Sequence, residues 1–97
     1  MIERPQAGQI AVSTAGRDAG TKYLIVKVLD DRYVEVVDGQ KRVWNRPKKK
    51  NCRHLLLVGM AGRDLQAALA EGRPLRNSEL RSELREQGAE ERQEGDR

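Results

Sequence analysis

The sequence predicts a small, mainly β domain, a five-stranded barrel with short C-terminal helices. Three observations carry this reading. Between Gly8 and Val58, short apolar runs rich in Val, Ile and Leu are separated by Gly and Asp, the pattern of short antiparallel strands. After Gly59 the composition shifts to Leu, Ala and Glu, with Gly72 and Pro74 as stop signals. A length of 97 residues allows one packed unit and an appendage but not two independent cores.

The first strand covers residues 9–13, with Ile10 and Val12 on one face. The second covers 22–29, where Leu24, Val26 and Val28 alternate with Tyr23, Ile25 and Lys27. In the third, 33–37, Val34 and Val36 alternate with Tyr33 and Glu35, so each strand has one face fit for a core. Asp30-Asp31-Arg32 makes a tight connection, and Asp38-Gly39 tolerates the positive φ of a hairpin turn. A fourth strand at 41–45 follows. Pro47 lacks a backbone donor, so Arg46-Pro47-Lys48-Lys49-Lys50-Asn51 reads as an exposed basic loop. Residues 54–58 form the last apolar run. Five such strands with tight turns predict a small SH3-like barrel, because closing the sheet buries one face and protects its edges. With no Phe, one Trp and two Tyr, its core must be aliphatic.

Beyond the barrel, assigned to 8–58, a helical appendage spans 59–87. Asp64 is positioned to cap a helix over 65–71, with Leu65, Ala68 and Leu69 on one side. Asn77 is positioned to cap a second over 78–87, with Leu80 and Leu84 at i,i+4 spacing. Helices this short need tertiary contacts, on the barrel or on a partner. Residues 88–97 are almost wholly polar and read as a disordered charged tail.

Charge is unevenly spread. Residues 1–58 hold 12 Lys/Arg and 6 Asp/Glu, a net of +6, whereas 59–97 hold 7 and 9, a net of −2. A basic domain gathers polyanions and gains binding free energy by releasing their counterions, so nucleic acid is the expected partner. No apolar run is long enough to span a bilayer, and no amphipathic helix is strong enough to lie on one. The start, Met1-Ile2-Glu3-Arg4-Pro5, lacks the apolar segment of a signal peptide, and the single Cys52 cannot form an internal disulfide; both point to a cytoplasmic setting.

The loop after the first strand has a physical logic. Gly16 and Gly20 bracket an Arg-Asp turn, letting the backbone bend and approach a phosphate, with Arg17 at the tip and Asp18 able to hold the turn through local N–H groups. Here the chain resembles the KOW family, whose members pass from a strand through a Gly-basic-Asp-x-Gly loop into a β-branched strand. The later segments Val37-Asp38-Gly39-Gln40-Lys41-Arg42 and Arg46-Pro47-Lys48-Lys49-Lys50-Asn51-Cys52-Arg53-His54-Leu55 resemble one branch of it, the large-subunit ribosomal protein fourteen-e family and its small bacterial relatives. That resemblance, over residues 8–58, implies an SH3-like barrel that binds structured RNA, usually ribosomal RNA, without catalysis, as a ribosomal or ribosome-associated ribonucleoprotein component in translation. Gly16, Arg17, Asp18 and Gly20 match the signature loop; Lys48, Lys49, Lys50 and His54 match the second basic segment. Many KOW sequences carry a further Gly after the loop, where this chain has Thr21-Lys22-Tyr23.

Lys41, Arg42, Arg46, Lys48, Lys49, Lys50 and Arg53 fall within 13 residues with no acid among them. Such side chains neutralise phosphates without fixed geometry, and with Arg17 they form the expected RNA-binding surface. The alternative for the lysine run is a solvated turn. Trp44, Tyr23 and Tyr33 lie off the expected core faces and could stack on unpaired bases, Trp44 equally serving as an edge of the core. So few aromatics favour recognition of folded RNA by charge and shape.

Enzyme chemistry has little support. His54 has no nucleophile or acidic partner nearby, there is no P-loop or dinucleotide fingerprint, and Cys52-x-His54 offers two ligands where structural zinc needs four. No cofactor and no small-molecule substrate are implied. Ala-Gly-Arg-Asp occurs at both 15–18 and 61–64, in contexts too different for a repeated module. The competing function is a protein-interaction barrel in transcription or translation using the face around Tyr33 and Trp44 and the leucine-containing tail. Ribosomal proteins are further partners consistent with either role. A DNA-binding helix pair ranks below both, since the tail is net acidic.

Overall fold

The computed structural model describes residues 2–95, with side-chain placement as far as Glu86. Five antiparallel strands form one sheet: β1 (Gln9–Ser13), β2 (Lys22–Val28), β3 (Tyr33–Val37), β4 (Lys48–Asn51) and β5 (Leu55–Met60), in the order β4-β3-β2-β1-β5. A 3-10 turn, Cys52–His54, joins β4 to β5, and the helices α1 (Arg63–Glu71) and α2 (Asn77–Gly95) follow. The mainly β class with C-terminal helices is as expected.

The first three strands lie where alternation placed them, but their burial is two-sided. Ala11, Tyr23, Ile25, Val34 and Val36 pack with Ile2, Cys52 and Leu55 on one side of the sheet. Their chain neighbours Ile10, Leu24 and Val37 point the other way, as pleating demands, and pack with Ala61, Leu65, Ala68, Leu75, Leu80 and Leu84 from the helical segment. The helices therefore share a core with the sheet, and the expected boundary at residue 58 falls inside β5. Tyr23, expected off the core, is buried; Val28, expected within it, is 39% exposed. Tyr23 is enclosed because both faces of the sheet are covered, whereas the register shift between Ile25 and Lys27 in the β2–β3 ladder turns the end of β2 and takes Val28 off the face of Leu24 and Val26.

The fourth strand is a correction. Residues 41–45 form a turn-rich connection, and the strand is the polar run Lys48–Asn51, which had read as an exposed loop. Pro47 sits just before this strand, where its missing N–H is harmless, and Val36, Glu35, Val34 and Tyr33 pair with Lys48, Lys49, Lys50 and Asn51. The connection is fixed by Asp38, whose carboxylate accepts from the Gln40 and Arg42 backbone N–H groups at 2.8 and 2.9 Å. Gly39, at φ +80°, lies so close to α2 that an added Cβ would stand 2.7 Å from the Asn77 carbonyl oxygen.

Both expected helix caps are replaced. Asp64 lies in the first turn of α1, favourable to the helix dipole, and Gly62 takes the cap position. Its N–H donates at 2.6 Å to the carboxylate of Glu83 on α2. The α1 end is as expected, with Gly72 in the left-handed conformation. The Asn77 side-chain oxygen accepts from the Trp44 backbone N–H at 2.9 Å, while the Glu79 carboxylate accepts from the Arg76 backbone N–H at 2.8 Å at the start of α2. Trp44 is half-buried against the helix-side core. The helix continues to Gly95, past the expected end at 87. The disordered charged tail expected over 88–97 overlaps this helix as far as Gly95; no side chain is described there, and its last two residues lie outside the described residues altogether.

Candidate nucleic-acid interface

The loop between β1 and β2 is built on two glycines and one carboxylate. Gly16 and Gly20 adopt φ of +87° and +90°, values that L side chains rarely take. Between them the Ala19 N–H donates to the Gly16 carbonyl and the Thr21 N–H to the Asp18 carbonyl, at 3.2 and 2.9 Å. The Gly20 N–H donates to the Ser13 carbonyl, and the Ser13 N–H to that of Thr21, so the loop closes on the β1–β2 ladder. Arg17 is left exposed at its tip.

Asp18 does not hold the turn through local N–H groups, as expected, but reaches into the fold. Its carboxylate accepts from the Ser13 hydroxyl at 2.9 Å and the Tyr23 phenol at 2.7 Å. The Lys48 ammonium donates to it at 3.1 Å and the Lys50 ammonium at 2.9 Å. Four donors on three strands thus converge on one acid, and the side chain of Lys50 is only 9% exposed. Burial pushes the Asp18 carboxyl pKa up, but the bonds from Tyr23, Lys50, Lys48 and Ser13 outweigh it and hold the group well below the ordinary carboxylate range. The Tyr23 phenol is pushed up, first by burial and then by its bond to the Asp18 anion.

This divides the basic cluster. Lys48 and Lys50 are tied to Asp18, whereas Lys49 is exposed, its ammonium 4.5 Å from the centre of the Tyr33 ring. Lys41, Arg42 and Arg46 are exposed on the β3–β4 connection, and Arg53 and His54 are exposed on the 3-10 turn. Two contacts gather these segments around the glycine loop. The Lys48–Asp18 pair brings β4 to it, and the Thr14 N–H donates to the His54 carbonyl at 2.9 Å, bringing the 3-10 turn to its base. Cys52 and His54 do not form a ligand pair, because Cys52 is buried and His54 faces solvent. Burial, then the charges of Asp30 and Asp31, push the Cys52 thiol pKa up, away from reactivity.

Sequence reasoning missed Ser13 and Tyr23 as partners of the loop. Each lies five residues from Asp18, one on either side, at the facing ends of the two strands the loop joins. An inward polar residue beside a hairpin acid was the available signal.

No family model matches the chain. The large ribosomal subunit protein eL14 of Desulfurococcus amylolyticus is 40% identical over 50 residues, which are 52% of this chain and 52% of that protein. The chain thus spans about half the length of the curated relative it matches. With the glycine loop and the basic segments in place on a mainly β fold, the chain resembles the large-subunit ribosomal protein eL14 family.

Proposed function

We propose that this chain is a non-enzymatic RNA-binding protein that contacts folded ribosomal RNA in the cytoplasm, as a component of the large subunit or a factor associated with it. Its sheet is read as an SH3-like barrel of the KOW kind, with the Gly16–Gly20 loop as the rigid centre of the contact surface. One observation carries the reading: Arg17, Arg42, Arg46, Lys49 and Arg53 are all exposed, on segments that the fold ties to that loop. The likeness to eL14 supports a ribosomal setting. Long cations spread over a curved surface suit phosphates at fixed spacing, and recognition then follows the shape of the RNA. Lys48 and Lys50 serve chiefly to hold the loop, and Arg17 and the exposed set make the phosphate contacts.

A second reading has its own observation. The edge strand β5 exposes Leu56, Leu57 and Met60 and is laddered only to β1 among the described residues, an arrangement open to strand addition by a protein such as a ribosomal neighbour.

Cross-linking the tagged protein in its native cells and sequencing the bound RNA separates the two. The comparison is an Arg46→Glu/Lys49→Glu variant, which spares the Asp18 contacts. Discrete ribosomal RNA sites that disappear in the variant support the first reading; no RNA above background rejects it and favours the second.

A further inference from the structure

The net charge of residues 59–97 conceals a segregated helix. Along α2, Glu79, Glu83 and Glu86 share one side and, with Ser78, Ser82 and Leu65, line a groove against α1. Leu80 and Leu84 form the next stripe and are buried in the helix-side core. Arg81 and Arg85, one turn apart, lie on the side opposite the glutamates, because steps of about 100° per residue put 81 and 85 about half a turn from 79, 83 and 86. The helix thus has a basic face that the charge count of the tail cancels from view.

That face borders a cleft of about 460 Å³ whose other walls are Gly20, Thr21 and Lys22 at the end of the glycine loop and Asp38, Gln40 and Lys41 on the β3–β4 connection. Among the described residues, four cationic side chains line it against one carboxylate, and Asp38 already accepts two backbone hydrogen bonds. Arg81 donates to the Gly39 carbonyl at 2.8 Å, which fixes the guanidinium at the rim and leaves it further N–H donors. Among the described residues Leu84 is the one large apolar side chain in the lining, so an apolar ligand has little to bury there, whereas a hydrated anion meets several donors.

From this we propose that the cleft between the Gly20 end of the loop and α2 is a second phosphate-binding site for the same RNA, with Arg85 and Lys41 as its principal cations and Arg81 as the fixed arginine of its rim. The inference rests on the RNA-binding reading above and extends it. The helical segment is then part of the binding surface, and the glycine loop stands between two phosphate contacts, one on the side of the β4 lysines and one on the side of α2.

The test is equilibrium binding, at one moderate salt concentration, to deproteinised large-subunit ribosomal RNA from the cells that make the protein. Wild type is compared with Lys41→Gln/Arg85→Gln and with Arg46→Gln/Lys49→Gln, circular dichroism confirming that each variant is folded; Arg81 is left intact because its bond to Gly39 is structural. The proposal expects the cleft variant to bind at least about tenfold more weakly, the order expected for the loss of two phosphate contacts. A cleft variant within about twofold of wild type, beside an Arg46/Lys49 variant that has lost affinity, overturns the cleft and leaves the RNA-binding reading standing. A wild-type protein that does not bind the RNA overturns both.

Discussion

The Lys50 ammonium lies 2.9 Å from the Asp18 carboxylate, joining the glycine loop to β4 across 32 residues of chain. The contact sets the loop's position, because the same carboxylate also accepts from Ser13 and Tyr23 on the strands that flank it. Removing the anion leaves the buried Lys50 ammonium uncompensated and the partly exposed Lys48 without this partner.

Asp18→Ala is therefore expected to destabilise the fold by about 2 to 4 kcal/mol, less than for a fully enclosed pair because Lys48 is partly solvated. For a domain of this size that lowers Tm by roughly 10 to 25 °C. Thermal and urea denaturation measure it, and a change under about 0.5 kcal/mol contradicts the network's role.

The same group gives a pH signature. Its pKa is lower folded than unfolded, so its contribution is complete above about pH 4 and is lost as the pH falls toward the folded value, by up to about 1.4 kcal/mol per pH unit. Tyr23 has the opposite sign: its pKa is raised by folding, so its contribution is complete below about pH 10 and is lost as the pH rises further. Urea midpoints across the acid range should fall more steeply for wild type than for Asp18→Asn; parallel curves contradict the assignment.

Two glycines with similar φ should behave differently. Gly39→Ala adds a Cβ 2.7 Å from the Asn77 carbonyl oxygen to the cost of positive φ, whereas at Gly20 the added atom meets nothing within 4 Å. Gly20→Ala should cost about 1 to 2 kcal/mol, and Gly39→Ala clearly more, because the start of α2 must move. Equal losses by urea denaturation would show that α2 does not press on the turn.

The helices are part of the cooperative unit. Leu80 is fully buried against the sheet, so Leu80→Ala should cost about 2 to 4 kcal/mol and keep a single unfolding transition. A loss of helix signal ahead of the β signal contradicts a shared core.

Legibility from sequence followed the physics of each segment. Alternation located β1 and β3 because the extra residue at each register shift lies on the partner strand, Val58 of β5 and Val26 of β2, so Ile10, Val34 and Val36 keep a regular pleat, and Gly16 and Gly20 were legible because an acid-bearing turn needs positive φ. Strand β4 was hidden: Lys48, Lys49 and Lys50 carry no apolar alternation, and the strand is defined by its backbone pairing with β3 and by the distant Asp18. Two-sided burial was hidden as well, since only the packed helices explain why neighbours such as Leu24 and Ile25 are both enclosed. For the site, residue types identified the cations, but only the fold separates Lys48 and Lys50, which hold the loop, from Lys49 and Arg46, which face solvent.

The central claim is most directly tested by the salt dependence of binding between the wild-type protein and folded large-subunit ribosomal RNA. Four or more phosphate contacts predict that log K falls linearly with log salt with a slope of about −3 or steeper, and that folded RNA is bound more tightly than a single-stranded homopolymer of equal charge. Affinity that barely changes with salt, or no preference for the folded RNA, would contradict recognition by an exposed basic surface.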